Sequence, residues 1–391
     1  MPKDILATVL HDAVRDGHAP YLIGMVGTSR GCVWSGGAGV YAKDNAAHEN
    51  TVFRIASMTK AIGSTAAAIL ADRGQLDWNT PVDAVLPTFG ELKVLEGFRD
   101  GKPVLRSFRV RPTLRHLATH TSGLVYEFWD ENIGRYLHDL GRPSAVSGLK
   151  QGLYYPLAFE PGARWQYGGG IDWLGLAVAA IDGRSIDQFC QQEIFDPLGM
   201  SDTRFELAGD MAARLGVVLS RGEDQDFVPA PMNLDPPSHP EFYGMGHALY
   251  STAPDYMRFL RMWLNRGQLD GVRILGEGVA ATFVQNHIGD LRLQLLKTAF
   301  PPATADLSMF SGYEKSHSLG FARMEESVPK MRAAGSQFWG GVLNTHFWFD
   351  PANDIAGVLM TQLIPFLDPR FMDVFEAFER SAYAIHSREH G

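Results

Sequence analysis

The segment from Ala56 to Arg73 constrains the fold more than any other part of the sequence. It is rich in Ala, Ile and Leu, follows a short predicted strand at Val52–Ile55 and ends before Gly74, a typical helix-terminating residue. Because this predicted helix is apolar around most of its circumference, other elements must cover it on all sides. The sequence therefore predicts a large globular fold built around a buried helix.

Composition and charge exclude several classes of protein. The chain has 391 residues, enough for one large domain or two intertwined ones. Lys and Arg number 35 against 44 Asp and Glu, and the net charge is −9 without any basic cluster, so we expect no nucleic-acid partner. Charges recur in the N-terminal segment, and no charge-free apolar run reaches the roughly 20 residues that cross a bilayer. We expect a soluble, cytoplasmic protein without a membrane partner.

The two cysteines carry little information about function. Cys32 and Cys190 both lie among apolar neighbours. We expect buried thiols that form neither a disulfide framework nor a metal site.

Strand patterns concentrate at the two ends of the chain. Tyr21–Gly27 and Cys32–Val40 are apolar runs joined by Thr-Ser-Arg-Gly, which predicts a β-hairpin. A second hairpin is predicted at Leu343–Asp350 and Asp354–Gln362, around the turn residues Pro-Ala-Asn. Both hairpins are expected to contribute to one sheet.

Helical patterns lie at the chain ends and through the middle. Apolar residues between Ile5 and Val14 indicate an amphipathic helix, and Asp373–His386 is predicted to form a terminal helix. Asp172–Ile181 and Asp255–Asn265 are predicted helices in between, the second with Ser251 or Thr252 as a cap.

This order of elements predicts an α/β (α+β) fold, in which an antiparallel sheet from both chain ends is flanked by helices. We assign residues 1–80 and 250–391 to a discontinuous sheet domain and residues 81–249 to a mostly helical inserted domain. The active site is expected in the cleft between the two domains.

The pattern Ser57-Met58-Thr59-Lys60 opens the buried helix and suggests nucleophilic catalysis. Residues three apart share one helix face, so the Lys60 amine can reach the Ser57 hydroxyl. Serine is a weak nucleophile that needs a base, and a lysine can act as that base when an apolar setting lowers its pKa. The alternative is an ordinary helix cap followed by a solvated lysine.

Three other serines occur in related patterns. Ser147-x-x-Lys150 lies beside two glycines, and Ser327-x-x-Lys330 contains a proline, so neither favours a regular helix. Ser29 lies in a Gly-x-Ser-x-Gly pattern, which requires a strand before it and a helix after it in esterases. Here a strand pattern follows, so we expect Ser29 to lie in a hairpin turn.

Further segments share their order with a known group of enzymes. They are Phe53–Lys60, Leu114–Leu124 with its His-Thr-Ser-Gly-Leu end, Phe159–Gly162, Trp165–Tyr167, Gly244–Thr252 and Trp339–Gly341. Together they resemble the motifs of the serine β-lactamase and penicillin-binding-protein superfamily over nearly the whole chain, from about residue 20 to 365. The resemblance implies a β-lactamase-like fold with an α/β part and a helical part.

Two departures indicate a subgroup. Gly169 stands where β-lactamases have the Asn of Tyr-x-Asn, and Trp339-Gly340-Gly341 replaces Lys/His-Thr-Gly. The second change removes a cation that pairs with the carboxylate of a β-lactam. In both respects the chain resembles the class C-like family VIII carboxylesterases and the statin-type acyltransferases.

The resemblance also implies a mechanism. Ser57 attacks an ester carbonyl, Lys60 or Tyr167 takes the serine proton, and Tyr167 protonates the leaving alkoxide. The backbone N–H groups of Ser57 and Val342 form the oxyanion hole, and Gly340 and Gly341 let their strand approach closely. No metal or cofactor takes part.

Several neighbouring residues have two interpretations. Tyr126 lines the cleft and holds the hydroxyl network, or packs on nearby aromatic residues. Trp339 forms a pocket wall or is a buried aromatic residue. His116 and His120 are four apart on a predicted helix, but without the Glu of a zinc motif we expect capping or core roles.

Our first hypothesis is a carboxylesterase that hydrolyses small-molecule esters with short- to medium-length acyl groups, with weak β-lactamase activity. An acyltransferase, or an amidase or D-peptidase, using the same serine is the alternative within enzymes. A non-catalytic binding module of this fold is the alternative outside them, and it has no need of Ser57, Lys60 and Tyr167 together.

Overall fold

The computed structural model describes residues 4–222, 224 and 226–390. The strands are β1 (Tyr21–Gly27), β2 (Cys32–Ala42), β3 (Asn45–Ala46), β4 (Phe53–Arg54), β5 (Val94–Arg99), β6 (Lys102–Arg106), β7 (Leu219–Arg221), β8 (Phe227–Pro229), β9 (Tyr250–Ser251), β10 (Gln268–Leu269), β11 (Val272–Arg273), β12 (Lys315–His317), β13 (Ala322–Met324), β14 (Gln337–Gly341), β15 (Thr345–Asp350), β16 (Ile355–Met360) and β17 (Leu363–Ile364).

The helices alternate with these strands along the chain. They are α1 (Asp4–Arg15), α2 (Thr59–Asp72), α3 (Val82–Val85), α4 (Leu114–Ala118), α5 (Glu131–Asp139), α6 (Gly170–Asp182), α7 (Ile186–Cys190), α8 (Asp196–Leu198), α9 (Ala253–Leu264), α10 (Glu277–Phe283) and α11 (Pro369–His390).

The central sheet confirms the predicted fold class. It is antiparallel, with eight strands in the order β12-β13-β14-β15-β16-β1-β2-β3, so the two chain ends meet in its middle. There β1 pairs with β16, from Ile23 opposite Met360 to Gly27 opposite Ala356. Both predicted hairpins are present.

Helices cover both faces of this sheet. Neighbouring strand residues point to opposite faces, and Phe347 of β15 contacts Tyr256 of α9, while Trp348 contacts Phe378 of α11. The α1 helix packs against α11 and β2. Because both faces are covered, every residue of β1, β15 and β16 is buried.

The predicted central helix is present and buried. All residues from Thr59 to Leu70 are buried, and α2 packs against α6, α7 and α10. The helix is preceded by a 3-10 turn at Ala56–Met58, and Ser57 makes no capping hydrogen bond to it. Thr252 does cap α9, since its side chain accepts a hydrogen bond from the Asp255 N–H.

The middle of the chain contains α3 to α8, as the sequence pattern indicated, but also β structure. The β5–β6 hairpin lies there, and β7 and β8 form a small sheet with β17 from the C-terminal part. The division into two domains at residues 80 and 250 stays a prediction.

The expectation of two buried thiols was wrong for Cys32. Cys190 is fully buried in α7, whereas Cys32 is exposed at the start of β2. Cys32 pairs with Gly27 at the hairpin end of β2, next to a register shift at Val26/Gly27, where the regular alternation of the strand is interrupted. In the part of the chain that the structure describes, no helix has the length and apolar character needed to cross a membrane.

Candidate active site

Ser57 lies in a tight turn between β4 and α2. The preceding residue, Ala56, has φ of +44°, a left-handed conformation that is strained for alanine. Two long-range hydrogen bonds hold this turn: the Ile55 N–H donates to the Leu249 carbonyl, and the Thr345 hydroxyl donates to the Ile55 carbonyl at 3.3 Å. The sheet and β9 region therefore fix the direction of the serine.

Lys60 is 2% exposed and its amine points at the serine. The Nζ atom donates to Ser57 Oγ at 3.2 Å, to Tyr126 Oη at 3.1 Å and to the Gly246 carbonyl at 2.6 Å. The two residues thus have the contact that the Ser-x-x-Lys spacing predicted.

Burial changes the protonation of this lysine. Removal from water disfavours the ammonium form and lowers the pKa of Lys60 to about 7, although the Asp172 carboxylate acts in the opposite direction. Near pH 7 a large fraction of the amine is therefore neutral and able to accept the serine proton.

Tyr167 also contacts the serine. Burial raises the pKa of its phenol above the ordinary value, while hydrogen bonds with Ser57 and Trp339 act in the opposite direction. The Lys60 amine lies 4.7 Å from the centre of the Tyr167 ring. In the resting site Tyr167 is therefore a neutral phenol that can donate a proton.

Tyr126 joins the same group of hydroxyls. Its ring centre is 5.4 Å from that of Tyr167, and its N–H donates to the Tyr167 carbonyl at 3.3 Å. Burial raises the pKa of the Tyr126 phenol well above its usual range. Of its two predicted interpretations, Tyr126 shows both: it contacts the lysine and packs on Phe128.

The end of β14 approaches the serine turn closely. A Cβ atom on Gly341 would lie 2.4 Å from the Ile55 carbonyl oxygen, so only glycine permits this contact. Gly340 and Val342 line the same cavity as Ser57. The two backbone segments predicted for the oxyanion hole therefore meet.

Trp339 lies behind Tyr167 instead of in the cavity wall. The two ring centres are 4.9 Å apart, and the indole Nε1 donates to Tyr167 Oη at 3.3 Å. Trp339 and Gly341 do not line the cavity around Ser57, whereas Tyr126 does.

The serine opens into a cavity of about 180 Å³. Its walls are mainly apolar and come from distant parts of the chain: Ala56, Ser57, Tyr126, Phe128, Trp129, Val146, Tyr167, Met232, Asn233, Leu234, Asp235, Pro236, His247, Phe300, Ala303, Thr304, Gly340, Val342 and Phe366. Most of these wall residues carry no motif, so the sequence did not reveal them.

The three competing serines have no comparable setting. Ser29 lies in the predicted hairpin turn, where its hydroxyl donates to Asp354 at 2.8 Å. The Ser147 and Ser327 hydroxyls accept hydrogen bonds from nearby backbone N–H groups. Among the described residues, none of the three contacts a buried lysine.

His116 and His120 lie in different structural settings. His116 takes part in a capping box with Thr113 at the start of α4. The helix ends at Ala118, and His120, with φ of +56°, lies beyond it in the core, so the predicted common helix was wrong for this residue. Among the described residues, no group of three or more His, Cys, Asp or Glu side chains is arranged for a metal ion.

Asp172 is a site residue that motif analysis missed. It is 1% exposed, lies in the first turn of α6 and accepts a hydrogen bond from the Gly246 N–H. Its position five residues after Tyr167, on a predicted apolar helix, was the available signal.

The fold and this constellation define a serine enzyme of the β-lactamase type. Residues 10–377 match the protein family described as Beta-lactamase, and the chain belongs to this family.

Curated relatives of this chain include acyltransferases and an esterase. The chain is 31% identical over 347 residues to "Monacolin J acid methylbutanoyltransferase" of Aspergillus terreus, covering 87% of this chain and 83% of that protein. It is 29% identical over 351 residues to "Lovastatin esterase" of Penicillium rubens, covering 86% of each. The chain is thus an enzyme of the serine β-lactamase and acyltransferase superfamily.

Solved structures share the fold of this chain. Simvastatin synthase (LovD) of Aspergillus terreus, in its LovD6 mutant form, superposes with a TM-score of 0.83 at 27% identity, covering 99% of this chain and 96% of that one. EstCE1, described as a hydrolase with promiscuous acyltransferase activity, has a TM-score of 0.78 at 19% identity, covering 98% of each chain. The second likeness concerns the fold alone.

Proposed function

We propose that this protein is a carboxylesterase that forms an acyl-enzyme on Ser57. The observation that carries the proposal is the buried Lys60 amine, which touches the serine hydroxyl and has a pKa near 7. A surface lysine would be protonated at neutral pH and would not accept the serine proton.

In the proposed reaction, Ser57, Lys60 and Tyr167 act first in acylation of the serine and again in release of the acyl group. Neutral Lys60 takes the proton of Ser57 as its oxygen attacks the ester carbonyl, and the N–H groups of Ser57 and Val342 donate to the developing oxyanion. Tyr167 gives its proton to the leaving alkoxide and regains one from the Lys60 ammonium. Water then enters, and the same groups release the acid from Ser57.

The cavity favours short acyl groups. A closed apolar cavity of about 150 Å³ accommodates a molecule the size of benzene, and the cavity here measures about 180 Å³. We therefore expect acetyl to butyryl esters to react faster than decanoyl esters.

A hydrolysis panel with matched variants tests this proposal. We expect the wild-type protein to hydrolyse p-nitrophenyl acetate and butyrate. In Ser57→Ala, kcat/KM should be at least about 10³-fold lower, because Ser57, Lys60 and Tyr167 act together as a unit. Ser29→Ala is the control and should keep the wild-type rate, since Ser29 donates to Asp354 in a hairpin turn and does not line the cavity around Ser57. Full activity in Ser57→Ala would refute the proposal, and p-nitroanilide turnover above ester turnover would favour the amidase alternative. Absence of any turnover and of any adduct on folded protein would favour a binding module.

Acyl transfer to an alcohol is the second candidate. It is supported by the similarity to methylbutanoyltransferases and by the apolar walls around Ser57, which disfavour free water at the acyl-enzyme. The two outcomes separate when p-nitrophenyl butyrate is turned over with and without a bulky alcohol. Formation of the new ester at millimolar alcohol, in preference to butyrate, would assign the protein to the transferases.

We expect hydrolysis of β-lactams to be weak. Among the described residues, Asp235 is the only Asp, Glu, Lys or Arg in the cavity wall, and it forms an ion pair with Arg54. The carboxylate of a cephalosporin therefore meets no unpaired cation in the wall. Turnover of a chromogenic cephalosporin should be at least about 10²-fold below that of p-nitrophenyl acetate, a difference of roughly 2.7 kcal/mol in the barrier.

A further inference from the structure

Asp172 is a fully buried carboxylate beside the reacting groups. It lies on the first turn of α6, only five residues after Tyr167, and is 1% exposed. Its Oδ1 atom accepts the Gly246 N–H at 2.7 Å, and its Oδ2 atom has no hydrogen-bond partner among the described residues. A buried charge without full hydrogen bonding is costly, so its position requires an explanation.

Gly246 connects this carboxylate to the lysine. Its N–H group is held by Asp172, and its carbonyl oxygen accepts the Lys60 Nζ at 2.6 Å. A Cβ atom at this residue would lie 2.7 Å from Tyr126 Oη and 2.8 Å from Asp172 Oδ2, so only glycine fits. One residue therefore transmits the position of the carboxylate to the amine.

Among the groups around Asp172, Lys60 is the side chain that can offer its carboxylate the strongest opposite charge. No arginine forms an ion pair with it among the described residues, and His247 approaches it only to 3.8 Å. Burial lowers the pKa of His247, which keeps that imidazole neutral near pH 7. The titratable groups facing this pair from the surrounding elements are Tyr126, Tyr155, Tyr167, His120 and His247.

We propose that Asp172 is a positioning residue, which fixes the Gly246 carbonyl against Lys60 and supplies the buried counter-charge when Lys60 carries the serine proton. This inference rests on the proposed function, because it assumes that Lys60 accepts the proton of Ser57. Each acyl-transfer half-cycle generates an ammonium in an apolar site, and a fixed carboxylate stabilises that state.

The carboxylate acts on the amine in a definite direction. Asp172 raises the pKa of Lys60 against the effect of burial. Removing the charge should therefore lower the pKa of Lys60, and the acidic limb of the rate profile should move to lower pH. A residue with a merely structural role would reduce the rate without moving this limb.

The test measures the rate at which a fluorophosphonate labels Ser57 in the whole protein between pH 5 and 9. Asp172→Asn keeps an acceptor for the Gly246 N–H and loses the charge. We expect the midpoint of the acidic limb in this variant to move about one pH unit lower. A shift of this size is within the range that a nearby opposite charge produces. Asp172→Glu retains a carboxylate and should keep the limb close to that of the wild type.

A matched control lies on the same helix. Asp182→Asn removes the same charge at the far end of α6, where the carboxylate pairs with Arg184, and should leave the limb unmoved. If Asp172→Asn does not fold, Asp172→Ser repeats the measurement with a smaller uncharged side chain. Loss of the fold in both uncharged variants would assign Asp172 a structural role and overturn the inference.

The remaining outcomes are distinct. If the midpoint of the acidic limb stays at the same pH or moves to higher pH in a folded, uncharged variant, this inference is overturned while the proposed function stands. A wild-type protein that is not labelled at Ser57 would instead refute the proposed function itself.

Discussion

Ser57 and Ser29 both occur in patterns typical of hydrolases, and their surroundings differ completely. Ser57 touches a lysine that is 2% exposed, two tyrosines surround that lysine, and the serine opens into an apolar cavity. Ser29 lies in a hairpin turn, and its hydroxyl donates to the Asp354 carboxylate. The difference shows that the environment of the base, more than the spacing of the motif, decides whether a serine can act as a nucleophile.

The largest expected effect concerns the base. Lys60→Ala should lower kcat/KM for p-nitrophenyl butyrate at least about 10³-fold, because the serine then has no nearby proton acceptor. Lys150→Ala is the matched control, as its lysine follows Ser147 at the same spacing but is exposed, and it should keep full activity. Comparable rates in the two variants would contradict the claim that Lys60, and not Lys150, acts as a catalytic base.

The next effect concerns the proton donor. Tyr167→Phe should lower kcat about 10²-fold, the lower range for loss of general acid catalysis. Tyr383→Phe removes a buried hydroxyl that donates to Asp350, away from the cavity, and serves as the control. A smaller loss in Tyr167→Phe than in Tyr126→Phe would transfer the role of donor to Tyr126.

The buried lysine should also appear in the stability of the protein. The pKa of Lys60 in the folded state is about 7 against an ordinary value of 10.5, so between these values the unfolded chain binds more protons. The free energy of unfolding of the wild type should therefore rise with pH in this window, relative to Lys60→Met, by up to about 1.4 kcal/mol per pH unit. Urea denaturation of both proteins at pH 7 and pH 9 measures this difference, and a constant difference would mean that Lys60 is not desolvated.

The smallest effect sharpens the description of Tyr167. Trp339→Phe keeps an aromatic ring but removes the Nε1 donor at 3.3 Å from the phenol. We expect kcat to fall roughly three- to tenfold, as for the loss of one hydrogen bond. Trp263→Phe, in the core under the sheet, is the control and should leave kcat unchanged. An equal loss in both variants would reduce the role of Trp339 to packing.

The sequence predicted those parts of the molecule whose structure is determined by residues within the same segment. An uninterrupted apolar segment was sufficient to predict α2, apolar runs joined by turn residues were sufficient for both hairpins, and motif order brought Ser57, Lys60 and Tyr167 to one site. These residues lie in segments whose own patterns are distinctive.

The parts that were missed depend on contacts between distant segments. Asp172 meets Gly246 across 74 positions, and Phe300 and Phe366 reach the cavity from loops without a motif. The φ of Ala56 occurs in a turn that is bonded to a distant segment, and the exposed Cys32 lies beside a register shift between β1 and β2. No local pattern encodes these features, because tertiary packing creates them.

The pH dependence of fluorophosphonate labelling in the wild-type protein, with the adduct mapped by mass spectrometry, tests the central claim most directly. We expect the adduct on Ser57, with a rate that rises about tenfold per pH unit below a midpoint near 7 and levels off above it, as Lys60 loses its proton. An adduct on Ser29, or a rate on Ser57 that is constant from pH 5 to 9, would contradict the account.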